Sequence, residues 1–153
     1  MKLLTFLASV LLICTSCNCQ KKAVTASNSE AKTMSVQPIV MEYEAYTRGF
    51  YYRATIENQS ISVTKQREIV PIAKKISDTD WKEILELYKK VNLKGLPSLK
   101  APSEARFYDG AAIAHFKIIS GKTPYQSSDF DAGNPPVEIK IIVEKILALA
   151  EKQ

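Results

Sequence analysis

The sequence predicts an α+β domain in which an antiparallel sheet carries both of its helices on one face. Three observations predict this class. Apolar and polar residues alternate with period two through most of residues 39–65 and again from residue 112. Two stretches, near residues 77–91 and 134–149, have one apolar face at helical spacing. The strands follow one another through short turns instead of alternating with helices, which favours antiparallel pairing.

A meander of three or four strands is predicted for the first half. Period-two alternation indicates strands over residues 39–46, 50–57 and 60–65. Arg48–Gly49 marks a bend after the first strand, and Asn58–Gln59 is a turn after the second. Glu68 to Ile72 is the fourth predicted strand. Pro71 places it at the sheet edge, because a proline nitrogen cannot donate to a neighbouring strand.

The first helix has a complete set of start signals. Ser77 is the predicted N-cap, Asp80 is its capping-box partner, and Ile76 and Trp81 have the spacing of a hydrophobic staple. The apolar stripe that follows is Trp81, Ile84, Leu85, Tyr88 and Val91. We expect this stripe to cover the sheet, so we interpret Trp81 as a packing residue and not as a ligand-binding one.

A long connection, a hairpin and a closing helix complete the predicted domain. Glycine and proline interrupt residues 92–106, which therefore cannot continue the first helix. Alternation over residues 112–130 predicts the hairpin. Asn134 is the predicted cap of the last helix, with Pro135 in its first turn. The apolar face of that helix is Ile139, Ile142, Val143, Ile146 and Leu149.

Residues 1–16 have the pattern of a bacterial lipoprotein signal peptide. Lys2 precedes an apolar run from Leu3 to Ile13, which is much shorter than the ~20 residues of a membrane-spanning helix. Signal cleavage requires small residues before the cut, and lipoprotein processing requires a thiol after it. Cys17 follows Thr15–Ser16 and is the predicted lipidation site.

Two alternatives to this assignment stay open. Cys14 and Cys19 are the other candidates for lipidation, and an ordinary secretory leader cut near Ser16 would leave the chain without lipid. Residues 17–36 are small and polar, so we expect a lipidated cysteine with a flexible tether, followed by a single domain over residues 37–153. The predicted location is the cell envelope, in the outer membrane facing the periplasm.

Composition narrows the function classes. All three cysteines lie at or before position 19, so we expect no disulfide in the domain and no thiol catalysis. The net charge of +5 is spread without a dense basic run, and no nucleic-acid readout motif occurs, so nucleic acid is not an expected partner. His115, the only histidine, lies mid-strand without evident metal-ligand partners. Neither G-x-S-x-G nor H-E-x-x-H occurs, and no cofactor or metal is expected.

Arginine, tyrosine and acidic residues supply the candidate functional side chains. The predicted ligand or partner surface is Arg48, Tyr51, Arg53, Arg106, Tyr108 and Asp109. Arginine and tyrosine are typical of recognition surfaces, and paired arginines suit carboxylates or phosphates. The favoured interpretation of Arg106 and Asp109 is nevertheless that they close a loop against the meander through a structural ion pair. Asp129, Asp131 and Asn134 form an alternative cation site, although turn formation and helix capping are the favoured interpretation.

Three segments resemble small exported lipoproteins of Bacteroidota: Arg48–Tyr51, Arg106–Ala112 and Phe130–Pro136. The likeness covers most of the chain after the leader. The chain also resembles a broader uncharacterised bacterial domain with the same order of elements. This resemblance implies the fold and the compartment, and it implies no activity or catalytic residue.

These observations predict a lipid-anchored envelope protein that acts as a non-catalytic binding or interaction module. Its expected partners are the membrane, reached through the lipid, and an envelope protein or an anionic ligand. One alternative is a small periplasmic hydrolase that uses carboxylates such as Asp109, Asp129 and Asp131. Such catalysis would require two of these groups in one pocket, at least one with a raised pKa. The other alternative is an inhibitor of a periplasmic enzyme.

Overall fold

A single sheet and two helices form the described part of the chain, which in the computed structural model is residues 38–153. The α+β fold class is confirmed. The strands are β1 Ile39–Tyr46, β2 Tyr51–Glu57, β3 Ser60–Thr64, β4 Lys74–Lys75, β5 Ile113–Ser120, β6 Thr123–Gln126 and β7 Phe130–Asp131. The helices are α1 Asp78–Lys89 and α2 Val137–Ala150, and two 3-10 helices lie at Leu93–Ser98 and Ala105–Tyr108. The predicted signal peptide, the lipidation site Cys17 and the predicted tether lie outside the described residues.

The strands pair in the order β4-β3-β2-β1-β5-β6, and β7 also pairs with β5. Each of these pairings is antiparallel, and β6 and β7 occupy successive stretches of one edge of β5. Tyr46 of β1 pairs with Tyr51 of β2 and Ile113 of β5. The β1–β2 loop and the start of β5 therefore share one end of the sheet, which we call the loop end. The described chain begins with Pro38 at the opposite end.

One face of the sheet is buried under both helices because its strands alternate apolar side chains into it. Tyr43 of β1, for example, lies between Ala54 of β2 and Phe116 of β5, and all three are buried. Ile84 of α1 and Ile146 of α2 belong to the same core. The prediction that both helices lie on one face is confirmed.

The start of α1 agrees with the sequence signals. Ser77 Oγ accepts the Asp80 N–H at 3.0 Å and donates to the Asp80 carboxylate at 2.7 Å. Trp81 is half-buried and packs against the core. Lys145 of α2 donates to Asp80 at 2.8 Å and to Glu83 at 2.6 Å, which joins the two helices.

The fourth strand does not lie where the sequence predicted it. Residues 68–72 are not a strand, and the pairing with β3 is made by Lys74–Lys75 instead. The next buried apolar residue after this stretch is Ile76, whose N–H donates to the Gln59 carbonyl at 3.0 Å. Pairing with β3 therefore resumes next to Ile76, whose side chain enters the core. Residues 68–72 are more apolar but stay outside the sheet.

The predicted cap of the last helix is also wrong. Asn134 is not a cap, and α2 begins at Val137 after the cap position Pro136. Pro135 precedes another proline, a position in which the helical conformation is sterically disfavoured, so the helix cannot start earlier. The Asn134 amide donates instead to the Ser103 hydroxyl at 2.7 Å.

Residues 35–153 form one compact unit, and the core of the described chain lies between Met41 and Ala150 within it. We therefore expect this unit to fold on its own. Between residues 38 and 153, no helix has both the length and the apolar composition needed to cross a membrane.

Candidate binding site at the loop end

Three segments that are far apart in sequence meet at the loop end. The β1–β2 loop, Thr47–Phe50, bends at Arg48–Gly49 as predicted. Residues 65–68 follow β3, and residues 105–112 precede β5. The antiparallel register brings the three segments together, because β1 has β2 and β3 on one side and β5 on the other.

A cavity of about 360 Å³ lies between the β1–β2 loop and the turn after β3. Three cations, Arg48, Lys65 and Arg67, line it beside one carboxylate, Glu68. We call this cavity the basic pocket. Within the described chain, none of the three cations lies within ion-pair distance of a carboxylate. Their hydrogen-bond donors are therefore available to a negatively charged ligand.

Two tyrosine rings flank the guanidinium group of Arg67. Its central carbon lies 4.7 Å from the ring centroid of Tyr51 and 5.4 Å from that of Tyr46. The Tyr51 hydroxyl donates to Glu44 at 3.1 Å. Burial and the neighbouring Glu44 charge raise the pKa of Tyr51, so its hydroxyl stays a donor. The tyrosines contact the guanidinium through their ring faces and leave its N–H groups free for an acceptor.

A second cavity, of about 350 Å³, lies on the other side of the β1–β2 loop. Its lining includes Arg48, Arg106 and Asp109, three of the residues proposed from the sequence for a shared surface. Arg48 borders both cavities. The loop that carries Arg48 therefore separates two adjacent cavities, the second of which has more apolar than polar surface in its lining.

The other predicted surface residues lie around these cavities. Tyr51 lines the basic pocket, and the guanidinium carbon of Arg53 lies 6.0 Å from the Tyr51 ring centroid. Tyr108 is exposed at the end of the second 3-10 helix, one residue before Asp109. The six residues are thus neighbours of the loop end, but they have different surroundings.

Arg106 already has protein partners. Its guanidinium donates to Asp131 at 3.1 Å and to the Ser103 carbonyl at 2.7 Å, and its side chain is only 11% exposed. The sequence suggested Asp109 as the structural partner of Arg106, whereas the structure pairs Arg106 with Asp131. The Arg106–Asp131 pair therefore fastens the second 3-10 helix to β7.

Asp131 is the centre of this closure. Its carboxylate accepts the Ser103 hydroxyl at 2.6 Å and the backbone N–H groups of Ala105 and Arg106 at 2.7 and 3.0 Å. Desolvation acts to raise the pKa of Asp131, but these hydrogen bonds and the Arg106 side chain outweigh it and lower the pKa from 3.8 to about 2. Asp131 is thus an ionised cap for the second 3-10 helix.

The three residues of the alternative cation site face different partners. Asp131 is engaged as described, and Asn134 donates to Ser103. Asp129 is half exposed, and its carboxylate lies 3.8 Å from Nδ1 of His115. In residues 38–153, no three acidic, histidine or cysteine side chains are grouped as metal ligands would be.

The carboxylates of the hydrolase alternative likewise have separate surroundings. Asp109 lines the second cavity together with Arg48, Asp129 lies beside His115, and Asp131 caps the second 3-10 helix. The shifted carboxyl pKa values of the described chain, at Asp80, Glu86 and Asp131, are all lowered. Lowered values favour the ionised acceptor over the proton donor that acid catalysis requires.

Lys65 and Arg67 are the residues of the basic pocket that were not identified from the sequence. A signal for them existed, because a meander places the residues after its third strand at the same end as its first loop. Lys65 is the first residue after β3, and Arg67 follows two residues later. Their proximity to Arg48 follows from the predicted topology and not from a motif.

Comparison of the chain with protein-family models, with curated protein sequences and with solved structures found no match. The resemblance to exported Bacteroidota proteins therefore stays a prediction.

Proposed function

We propose that this protein is a lipid-anchored binding module of the cell envelope and that it holds an anionic group, a carboxylate or a phosphate, in the basic pocket. The supporting observation is that Arg48, Lys65 and Arg67 line one cavity without a carboxylate partner in the described chain. Unpaired cations that share a cavity repel one another, and an anion would relieve that repulsion.

Arg67 is the central residue of the proposed recognition. The ring of Tyr51 orients its guanidinium, so binding would cost less side-chain entropy than it does for a freely rotating arginine. Arg48 lines the same pocket from the β1–β2 loop and also lines the second cavity. Two guanidinium groups around one carboxylate or phosphate make the charge-assisted hydrogen bonds that are strongest in proteins.

The alternatives are favoured less by the geometry. A hydrolase requires converging carboxylates, whereas Asp109, Asp129 and Asp131 have separate surroundings. An inhibitor of a periplasmic enzyme stays a further alternative, with no particular feature of the loop end in its favour.

The basic pocket and the start of the described chain lie at opposite ends of the sheet. The described chain begins with Pro38 at the end of β1 that lies opposite the pocket. The eight residues of β1 span ~27 Å at the usual rise of a strand. The pocket therefore lies at the end of the domain that is remote from the residue to which the predicted tether connects.

Isothermal titration of residues 35–153 with inorganic phosphate and with citrate tests the pocket. We expect binding that weakens about tenfold in Arg67→Gln, since one charge-assisted contact is lost. Lys140→Gln is the matched control, because Lys140 is an exposed cation on α2. No heat with either anion at millimolar concentration, or equal loss in the control, would refute the proposal.

Metabolic labelling with palmitate tests the anchor separately. We expect the full chain to be labelled, with the label retained in Cys19→Ala and lost in Cys17→Ala. An unlabelled protein recovered from the periplasm would exclude the anchor and leave the binding proposal standing.

A further inference from the structure

Exposed apolar side chains are concentrated around the loop end. The large apolar residues exposed in the described chain are Phe50, Ile69, Val70, Ile72, Phe107, Tyr108, Val137 and Ile141. Phe50, Phe107 and Tyr108 belong to the β1–β2 loop and the second 3-10 helix, and Ile69, Val70 and Ile72 belong to the stretch that leads from the loop end along β3 to β4. Val70 is 88% exposed, and Phe107 and Tyr108 are 71% and 75% exposed. Clusters of exposed apolar side chains mark interaction or membrane sites, whereas singly scattered ones are ordinary.

These side chains lie on separate loops, and Phe50 also lines the basic pocket. Phe50 lies at the middle of the loop end, Ile69 and Val70 beside β3, and Phe107 and Tyr108 next to β7. From β3 to β7 the sheet passes through β2, β1 and β5, a width of ~19 Å at the usual strand spacing. Both cavities between these loops are lined by charged residues.

Cations lie between the apolar loops. Arg48, Lys65 and Arg67 occupy the basic pocket, and the neighbouring carboxylates are Glu68 and Asp109. Exposed apolar side chains on loops with unpaired cations between them match the interface of an anionic bilayer. There the apolar groups enter the acyl boundary while the cations contact lipid phosphates.

We propose that the loop end docks on an anionic membrane surface, with Phe50, Val70, Phe107 and Tyr108 inserted and a lipid phosphate bound in the basic pocket. This inference rests on the proposed function, because the headgroup phosphate is its anionic ligand. A folded protein partner fits less well, since a protein interface needs a continuous apolar centre, and here charged cavities separate the apolar tips.

The predicted tether makes the anchoring membrane accessible to this surface. Twenty residues, 17–36, reach up to ~70 Å when fully extended, more than twice the ~27 Å length of β1. The loop end can therefore contact the bilayer in which Cys17 is expected to be anchored, although the described chain enters the domain at the other end.

Flotation of residues 35–153 with vesicles tests the proposal. This unit contains neither the leader nor a cysteine, so binding cannot come from an attached lipid. We expect it to float with phosphatidylglycerol-containing vesicles, at least about tenfold more tightly than with pure phosphatidylcholine, and to be released by salt.

Two double variants separate insertion from charge. Val70→Ser with Phe107→Ser should weaken vesicle binding about tenfold and leave phosphate binding in the pocket unchanged. Val137→Ser with Ile141→Ser removes the exposed apolar side chains of α2 and is the matched control, for which no change is expected.

The outcomes distinguish the two proposals. Phosphate binding without vesicle binding would overturn membrane docking and leave the anion-binding function intact, with a soluble anion or a protein as the ligand. Vesicle binding that is insensitive to the Val70 and Phe107 changes would also overturn docking by insertion. If the wild-type unit binds neither phosphate nor vesicles, both proposals are refuted.

Discussion

Arg106 and Arg48 line the same cavity, yet their roles are opposite. Arg106 donates to Asp131 and to the Ser103 carbonyl and is nearly buried, whereas Arg48 is exposed and has no carboxylate partner in the described chain. The β7 side of the loop end is thus held together by satisfied charges, and the β1–β2 side presents unsatisfied ones. Arginine content alone does not identify a binding surface. What distinguishes the two arginines is whether a protein acceptor lies within reach.

Asp131→Leu tests how much the hydrogen bonds to Asp131 stabilise the β7 side of the loop end. The Ser103 hydroxyl, two backbone N–H groups and the Arg106 guanidinium would lose their acceptor together. We expect the largest loss of unfolding free energy among the substitutions described here, measured by urea denaturation. Asp129→Leu is the control, because that side chain is half exposed, and it should leave the midpoint nearly unchanged. Equal effects of the two changes would show that the closure is not structural.

Acid should weaken the hydrogen bonds to Asp131 in a defined pH range. The folded state lowers the pKa of Asp131 from 3.8 to about 2, so its contribution to stability is present above pH 3.8 and is lost as the pH falls toward 2. Urea midpoints measured from pH 6 to pH 2 should therefore fall less steeply in Asp131→Asn than in the wild type. Parallel curves would contradict the lowered pKa.

Arg106→Met and Arg48→Met are a matched pair across the cavity. Removing Arg106 should cost about 2 kcal/mol of unfolding free energy, because a largely buried charge-assisted pair is broken. Removing Arg48 should change stability by less than about 0.5 kcal/mol, since it has no partner to lose. It should instead weaken citrate binding about tenfold. Urea denaturation and titration calorimetry measure the two effects, and the contrast fails if both variants lose stability equally.

Tyr51→Leu tests whether ring contact prepares Arg67 for binding. Loss of the cation–π contact, about 0.5–1 kcal/mol, should weaken phosphate binding about threefold. Tyr51→Phe keeps the ring and loses only the hydrogen bond to Glu44, so its phosphate affinity should stay near that of the wild type. If the Phe variant loses as much affinity as the Leu variant, the hydroxyl and not the ring is responsible.

His115→Phe should have the smallest effect. Nδ1 of His115 is a buried polar atom without a hydrogen-bond partner in the described chain, and it lies 3.8 Å from Asp129. Replacing it with an apolar ring of similar shape removes an unsatisfied group, so we expect a stability change within about 0.5 kcal/mol. A large loss on thermal unfolding would show that the histidine has a structural partner.

Local signals predicted most of the fold. Period-two alternation located β1, β2, β3 and β5, and Ser77 with Asp80 located the start of α1. The errors arose where a local rule competed with packing. The stretch at residues 68–72 has strand-like composition but stays unpaired, and Asn134 has cap chemistry but precedes two prolines that delay the helix.

The amino-acid order was sufficient for the fold class, because alternation and capping are interactions between residues that are near one another in the chain. It was also sufficient to select Arg48, Arg106 and Asp109 as residues of interest. It could not reveal that Arg106 pairs with Asp131, 25 positions away, or that Arg67 lies against Tyr51. The pairing of charges depends on distances across strands, and those distances exist only after the sheet has formed.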